Sequence, residues 1–214
     1  MAKKILIPGD LISETPLKMK ETIVQDGKTY ATVMGVYDDV KKSFLPLESL
    51  WFPGRSDIVI GIVESARLNS YGVDLNSLYK GIVISKYEET KFNIGDVIEA
   101  TVRELDETNT VVLQYPKLLS GGKIIDVRAS KIPRLIGKDN TMIKELVEGT
   151  HSMVKVGMNG RVWIKGGDIN LATEAIIKIQ QEAHTSGLTN RVKTMFQQAN
   201  ASKGKGKVEE EVEQ

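Results

Sequence analysis

The residues best suited to binding chemistry form the short stretch RLIGKDN at residues 134–140. A glycine lets another backbone approach closely, and the N–H groups of a helix N-terminus favour phosphate. Lys138 adds positive charge at the same place, and Lys131 and Arg134 lie just before the glycine. The pattern therefore predicts contact with a nucleic-acid backbone through Lys131, Arg134, Gly137 and Lys138. A plain helical hairpin with a glycine turn and no ligand is the alternative.

A second glycine-containing loop, GMNG, occupies residues 157–160. Asn-Gly is a preferred dipeptide of tight hairpin turns. The spacing predicts a structural turn between two strands, formed by Gly157, Asn159 and Gly160.

Between residues 53 and 120 the chain contains five short β-rich runs. They are 58–63, 71–75, 81–84, 97–102 and 110–115. Five such strands in this length fit a small closed barrel of the OB type. Barrels of this kind present aromatic and basic side chains on one strand face to single-stranded RNA. The candidates are Arg67, Tyr71, Lys80 and Arg103. The alternative is a half-buried tyrosine and three solvated surface charges.

Catalytic and metal-binding patterns are missing from the sequence. There is no cysteine, and only two histidines occur, which excludes disulfides, cysteine-ligated zinc and a thiol nucleophile. Neither a Gly-x-Ser-x-Gly elbow nor a phosphate-binding P-loop occurs. Adjacent carboxylates such as Asp38 and Asp39 would point to opposite faces of a strand. We expect no catalytic residue, no metal and no cofactor; a hidden nuclease would reveal itself by metal-dependent RNA cleavage.

The periodicity of apolar residues divides the chain into segments of different type. Short strands without helical periodicity precede the barrel, and a β-α-α-β-β-α order follows it. The fold class predicted is thus multidomain, mostly β and then α+β. The segments are a β-rich N-terminal domain at 1–52, the barrel at 53–117, the α+β domain at 121–187, one more short helix at 188–198 and a disordered tail at 199–214.

Charge is distributed unevenly along a chain whose net charge is only +1. Residues 121–187 carry 10 basic and 7 acidic residues, a net charge of +3, whereas residues 53–120 carry 7 and 10, a net charge of −3. A globally basic nucleic-acid binder is excluded, so any such binding must come from local patches. No apolar run is long enough to span a membrane, and the N-terminus lacks the apolar core of a signal peptide. We expect a cytoplasmic protein.

These motifs together resemble a known family. Residues 134–140 within a β-α-α-β-β-α run resemble the KH domain, with Asn140 in place of its second loop glycine, and residues 56–115 resemble the S1-type OB domain. IPGD at 7–10 and DGKTYATVMG at 26–35 extend the likeness to about residues 3–187. In the order N-terminal domain, S1, KH, the chain resembles the RNA-binding cap subunits of archaeal-type exosomes.

The resemblance implies a non-catalytic subunit, three copies of which cap a ring of RNase PH-like subunits. The N-terminal domain would dock on the ring, and the S1 and KH domains would capture single-stranded RNA for 3'-to-5' degradation or processing. In this family the turn at 157–160 serves domain packing. A free-standing S1/KH regulator of translation or RNA stability is one alternative. A structural scaffold without RNA affinity is another.

Overall fold

A computed structural model describes residues 3–19, 21–39, 42–47, 50–84, 91–183, 185 and 187–210. The chain forms two compact units. One comprises Met1–Leu50 with Arg128–Ser130, and the other comprises Trp51–Val127 with Lys131–Gln214.

The described residues of the first unit form six short strands in two antiparallel sheets. The strands are β1 Lys3–Leu6, β2 Leu11–Ser13, β3 Thr22–Gln25, β4 Lys28–Ala31, β5 Gly35–Asp38 and β6 Ser43–Pro46. One sheet has the order β1-β5-β6 and the other β2-β4-β3. Asp26 and Gly27 both adopt positive φ, at 51° and 74°, as a tight hairpin turn requires. Asp26 and Gly27 thus form the turn of the β3–β4 hairpin, in which Gln25 pairs with Lys28.

A closed five-stranded barrel opens the second unit. Its strands are β7 Ile58–Arg67, β8 Ser70–Asp74, β9 Lys80–Ile84, β10 Val97–Leu105 and β11 Thr110–Leu118, in the order β10-β11-β9-β8-β7. Alternate residues along β8, β10 and most of β11 are buried, because successive side chains point to opposite faces of a strand. The predicted OB-type barrel is confirmed.

The α+β half of this unit has the predicted β-α-α-β-β-α order. Its elements are β12 Lys123–Asp126, α1 Ile132–Ile136, α2 Thr141–Thr150, β13 Met153–Val156, β14 Arg161–Lys165 and α3 Ile169–Gln181. The antiparallel sheet has the order β12-β14-β13, and α1, α2 and α3 bury their apolar faces in one core with it. Asp168 caps α3 by accepting a hydrogen bond from the Leu171 N–H at 3.0 Å.

The last helix, α4, spans Leu188–Glu210 and is longer than the sequence indicates. Leu188, Val192 and Phe196 recur every four residues and are buried in the α+β core, which explains the expected helix at 188–198. Its continuation to Glu210 differs from the expected disorder of the tail. Once packing has nucleated a helix, adding further residues costs little, and alanine, lysine and glutamate favour the helical state. Residues 211–214 lie outside the described residues.

Candidate nucleic-acid interface

The predicted contact loop joins α1 to α2. Gly137 ends α1 with φ 74°, and a Cβ there would lie 2.8 Å from the backbone nitrogen of Met142, so no other residue fits without a shift. Asp139 and Asn140 follow with φ 54° and 61°. Asparagine is one of the few side chains that adopt this left-handed conformation readily. The loop therefore keeps its left-handed conformation at position 140 with an asparagine in place of the second glycine of the KH pattern.

The basic side chains in and before this loop differ in their exposure and in their hydrogen-bond partners. Lys138 is exposed, and none of the ion pairs among the described residues includes it. Arg134 is also exposed, but its Nη2 donates to the Thr185 carbonyl at 2.9 Å. Lys131 is half-buried immediately before α1. Since a guanidinium has five donors, Arg134 keeps donors for another acceptor while one holds the side chain in place.

Tyr71, one of the barrel candidates, is buried. It is 8% exposed and packs edge-to-face on Phe92, with ring centroids 5.4 Å apart. Its ring faces the barrel core because it alternates with Val73 and Leu75, which are also buried. This corrects the expectation that Tyr71 offers its ring to RNA.

The three basic candidates of the barrel are exposed but are not brought together. In the ladders, Arg67 pairs with Ser70 and Lys80 pairs with Asp74. The two therefore lie at opposite ends of β8 and on either side of it, with roughly 13 Å between them along the strand direction alone. Arg103 lies on β10, which is not a neighbour of β8 or β9, and its Nε is 3.6 Å from a Glu104 carboxylate oxygen. The barrel candidates thus do not form a single patch.

The turn at 157–160 is inserted against the barrel. Asn159 is 3% exposed. Its Oδ1 accepts from the Ile60 N–H at 3.2 Å, and its Nδ2 donates to the carbonyls of Ile60 at 2.8 Å and Leu75 at 2.9 Å. A Cβ on Gly157 would lie 2.8 Å from the Ile60 nitrogen. The turn therefore connects the barrel to the α+β half through hydrogen bonds and close packing.

An ion pair between the buried Arg161 and the half-buried Asp74, next to this turn, strengthens the same contact. Arg161 donates from Nη1 to the Asp74 carbonyl at 2.6 Å and from Nη2 to the Asp74 carboxylate. Its Nε lies 3.6 Å from Asp126. Partial burial acts to raise the pKa of Asp74, but hydrogen bonds from Arg161 and the Asn76 N–H, with the guanidinium charge, outweigh it and lower the pKa. Residue types alone did not indicate this pair.

Two exposed aromatic side chains of this unit were not identified from the sequence. Phe52 is 67% exposed and meets Tyr79 edge-to-face at 5.8 Å. Tyr115 is 70% exposed and lies on β11 with φ 54°. The β-rich run 110–115 gave no sign that Tyr115 faces outward, because strict alternation with the buried Val111 and Leu113 would turn it inward.

The described ranges contain neither a cluster of metal-ligating side chains nor a helix suited to crossing a membrane. No group of three or more histidine, aspartate or glutamate residues there is placed to hold a metal ion. None of the helices described is both long enough and apolar enough to cross a membrane.

A closed five-stranded barrel joined to a β-α-α-β-β-α domain with an exposed, lysine-bearing glycine loop places the chain among proteins that combine an OB-type barrel with a KH domain. A sequence model of the KH domain matches residues 122–170. A crystal structure assigned to an exosome complex RNA-binding protein superimposes with a TM-score of 0.64 at 29% identity, covering 72% of this chain and 99% of that one.

Curated relatives identify the particular family. The chain is 34% identical to exosome complex component Rrp4 of Pyrococcus furiosus, over 91% of this chain and 83% of the relative. It is 37% identical to Rrp4 of Methanosarcina acetivorans, over 90% and 81%, and 36% identical to Rrp4 of Methanobrevibacter smithii, over 89% and 70%. The chain belongs to the Rrp4 family of exosome complex components.

Proposed function

We propose that this chain is a non-catalytic RNA-binding cap subunit of an exosome. Three copies would sit on a ring of RNase PH-like subunits in the cytoplasm, capture single-stranded RNA and deliver it for 3'-to-5' degradation or processing. Membership of the Rrp4 family supports the assembly. The single structural observation that carries RNA capture is the exposed Lys138 in a loop whose shape depends on Gly137.

The KH loop is proposed to contact the phosphate backbone of the RNA. The turn from Gly137 to Asn140 leads directly into the first turn of α2, and the Asn140 side chain does not cap that helix. The Thr141 N–H donates to the Lys138 carbonyl. The next N–H groups of a helix start have no partner within the helix and favour anions. Lys138 supplies a cation beside them, and Arg134 and Lys131 continue the positive charge along α1.

The contact between barrel and KH domain has a functional consequence within this proposal. The three hydrogen bonds of Asn159 and the Arg161–Asp74 pair fix the orientation of the two RNA-binding modules. Two modules held at a constant separation act on one strand with a high effective concentration. We propose that Arg67, Lys80 and Arg103 contribute separate, weak backbone contacts along the barrel.

The RNA part of the proposal is tested by reversing one charge. In the assembled complex, Lys138→Glu should weaken binding of a fluorescent oligouridine about 5- to 30-fold at low salt. An attraction of about 1 kcal/mol at 4 Å in water is then replaced by a similar repulsion. The slope of log affinity against log salt should become shallower by about 0.7 for the one lost phosphate contact. Lys91→Glu, at an exposed barrel position, is the matched control. Equal affinities for both variants would remove the KH loop from the RNA path.

The assembly part is tested by purifying the protein from its source at low salt. Stoichiometric RNase PH-like partners in a particle of several hundred kilodaltons would support the cap assignment. A monomer that elutes with RNA and without such partners would contradict it and support a free-standing S1/KH regulator.

A structural subunit without its own RNA affinity is the second candidate. The observation in its favour is that Asn159 and Arg161 are committed to the barrel contact, and that Tyr71 is buried. A complex that assembles normally, but binds oligouridine equally well with and without this chain, would favour it.

A further inference from the structure

A pocket lies on the outer face of the barrel and contains no residue of the KH loop. It measures about 340 Å³ and is lined by Ile58, Glu99, Ala100, Thr101, Tyr115 and Lys117. These residues come from three adjacent strands, β7, β10 and β11. Arg67 lies at the end of β7 opposite to Ile58, and Lys80 lies on β9, so neither of these candidates lines this pocket.

The pocket is opened by an irregularity in β11. Glu99 pairs with Lys117 and Thr101 pairs with Gln114, so Ala100 alone faces the two residues Tyr115 and Pro116. Two residues opposite one define a β-bulge. The first bulge residue here has φ 54°, a conformation that this type of bulge normally gives to glycine. A tyrosine occupies the position instead.

The bulge turns an aromatic ring out of the barrel. Val111 and Leu113 are buried, and regular alternation would bury the residue at 115 as well. The extra residue shifts the alternation, so Pro116 is buried and Tyr115 is 70% exposed. A bulky side chain in the left-handed region is strained, and such strain concentrates at ligand sites. Because the Tyr115 ring is exposed, packing in the core does not offset the free-energy cost of this backbone conformation.

The polar groups around the pocket suit one nucleotide. Lys117 is exposed at one edge. Glu99 forms an ion pair with Lys155 of the KH domain at 3.3 Å, and so fixes a second cation beside the pocket. Thr101 provides a hydroxyl opposite Ile58 in the ladder, and Arg103 follows on the same strand. Lys117 and Lys155 outnumber Glu99, and Arg103 is balanced by Glu104, so the pocket carries a small positive charge that suits a phosphate. The Thr101 hydroxyl can contact the edge of a base.

We propose that this pocket binds one base of single-stranded RNA, stacked on Tyr115, with Lys117 at its phosphate. The inference rests on the proposed RNA-binding function and adds a second RNA contact on the β7–β10–β11 face. Stacking on an exposed aromatic ring is the usual way in which a barrel holds an unpaired base. The pocket volume is at the lower end of small-ligand sites, which suits a single base better than a docked helix or strand of a protein.

The test uses the assembled complex and an oligouridine of about 12 nucleotides, within the site size of one OB barrel. Tyr115→Gly removes the ring and relieves the backbone. Affinity should fall about 5- to 100-fold, as for loss of one stacked base, while the midpoint of thermal unfolding stays the same or rises. Tyr115→Phe keeps the ring and should bind as the natural chain does. A 4-thiouridine oligomer should crosslink to the tryptic fragment 104–117.

The outcomes separate this pocket from the KH loop. If Lys138→Glu weakens binding and Tyr115→Gly does not, the pocket proposal is overturned and the proposed function stands. If neither variant changes affinity and the natural chain adds none to the complex, the proposed function fails as well. If Tyr115→Gly leaves RNA affinity intact but loses a protein partner, the pocket is a protein-docking surface and the RNA assignment is wrong.

Discussion

Replacing Asn159 by alanine should separate the barrel from the KH domain without unfolding either one. The side chain makes three hydrogen bonds to the backbone of Ile60 and Leu75, at 2.8 to 3.2 Å, and is 3% exposed. A typical hydrogen bond contributes about 0.5–1.5 kcal/mol net, and a buried group left without a partner costs about 1–3 kcal/mol. Water can enter the space left by the side chain and satisfy some of these groups. We therefore expect a loss of about 2–4 kcal/mol.

The two tryptophans allow the two modules to be observed separately. Trp51 is buried at the barrel, where its Nε1 donates to Asp57 at 3.0 Å. Trp163 is buried in the KH sheet, where its Nε1 donates to the Gly121 carbonyl at 2.7 Å. Trp51→Phe and Trp163→Phe variants each leave one fluorophore for denaturant unfolding. The two transitions should coincide when Asn159 is present and move apart in Asn159→Ala.

Two further variants make this prediction specific. Asn159→Asp keeps the acceptor for the Ile60 N–H but places a buried charge beside two carbonyl oxygens, so it should be at least as destabilising as alanine. Asn69→Ala, at an exposed turn, is the matched control and should change stability by less than about 0.5 kcal/mol. Coincident transitions and a loss below about 0.5 kcal/mol in Asn159→Ala would refute the reasoning.

Two more predictions concern charge and packing in the same unit. The pKa of Asp74 is lowered from its ordinary value of 3.8, so its stabilising effect is present above that value and is lost as the pH falls through the folded-state pKa. Asp74→Asn should lower stability at neutral pH and flatten the acid side of the stability profile measured by denaturant titration; an unchanged profile would contradict the Arg161 contact. Phe196→Ala should cost about 3–5 kcal/mol in unfolding free energy, because the ring is 4% exposed and fills the space over Gly149. Gln197→Ala, at the exposed next position, should have little effect, and equal losses would show that α4 is not part of the core.

The local periodicity of apolar residues was sufficient to predict most helices and strands of the fold. Val73 and Leu75, or Ile98, Ala100 and Val102, alternate in sequence and are buried in the barrel, since side-chain direction along a strand depends on local geometry alone. Leu188, Val192 and Phe196 likewise mark the buried face of α4. The burial of Tyr71 was accessible by the same argument, because it shares the alternate positions of Val73 and Leu75.

Contacts between distant residues could not be obtained in this way. Asn159 meets Ile60 across 99 positions, and Arg161 meets Asp74 across 87. The dipeptide Asn-Gly indicates a turn whether or not the asparagine side chain has a partner. Only the packing of the barrel against the KH sheet supplies the carbonyl and amide groups with which the asparagine side chain forms hydrogen bonds between the two modules.

Residue types and their spacing were enough to predict the type and order of the modules, the glycine loop with Lys138, and the family to which they point. These depend on short-range steric preferences and on residue types at fixed spacing. The tertiary structure decided which side chains are available to RNA. It tied Arg134 to a carbonyl and, through one extra residue in β11, turned Tyr115 outward. The direction of Tyr115 depends on the register between β10 and β11, which contains the bulge. The position of Arg134 depends on a contact with Thr185, 51 positions away in the chain.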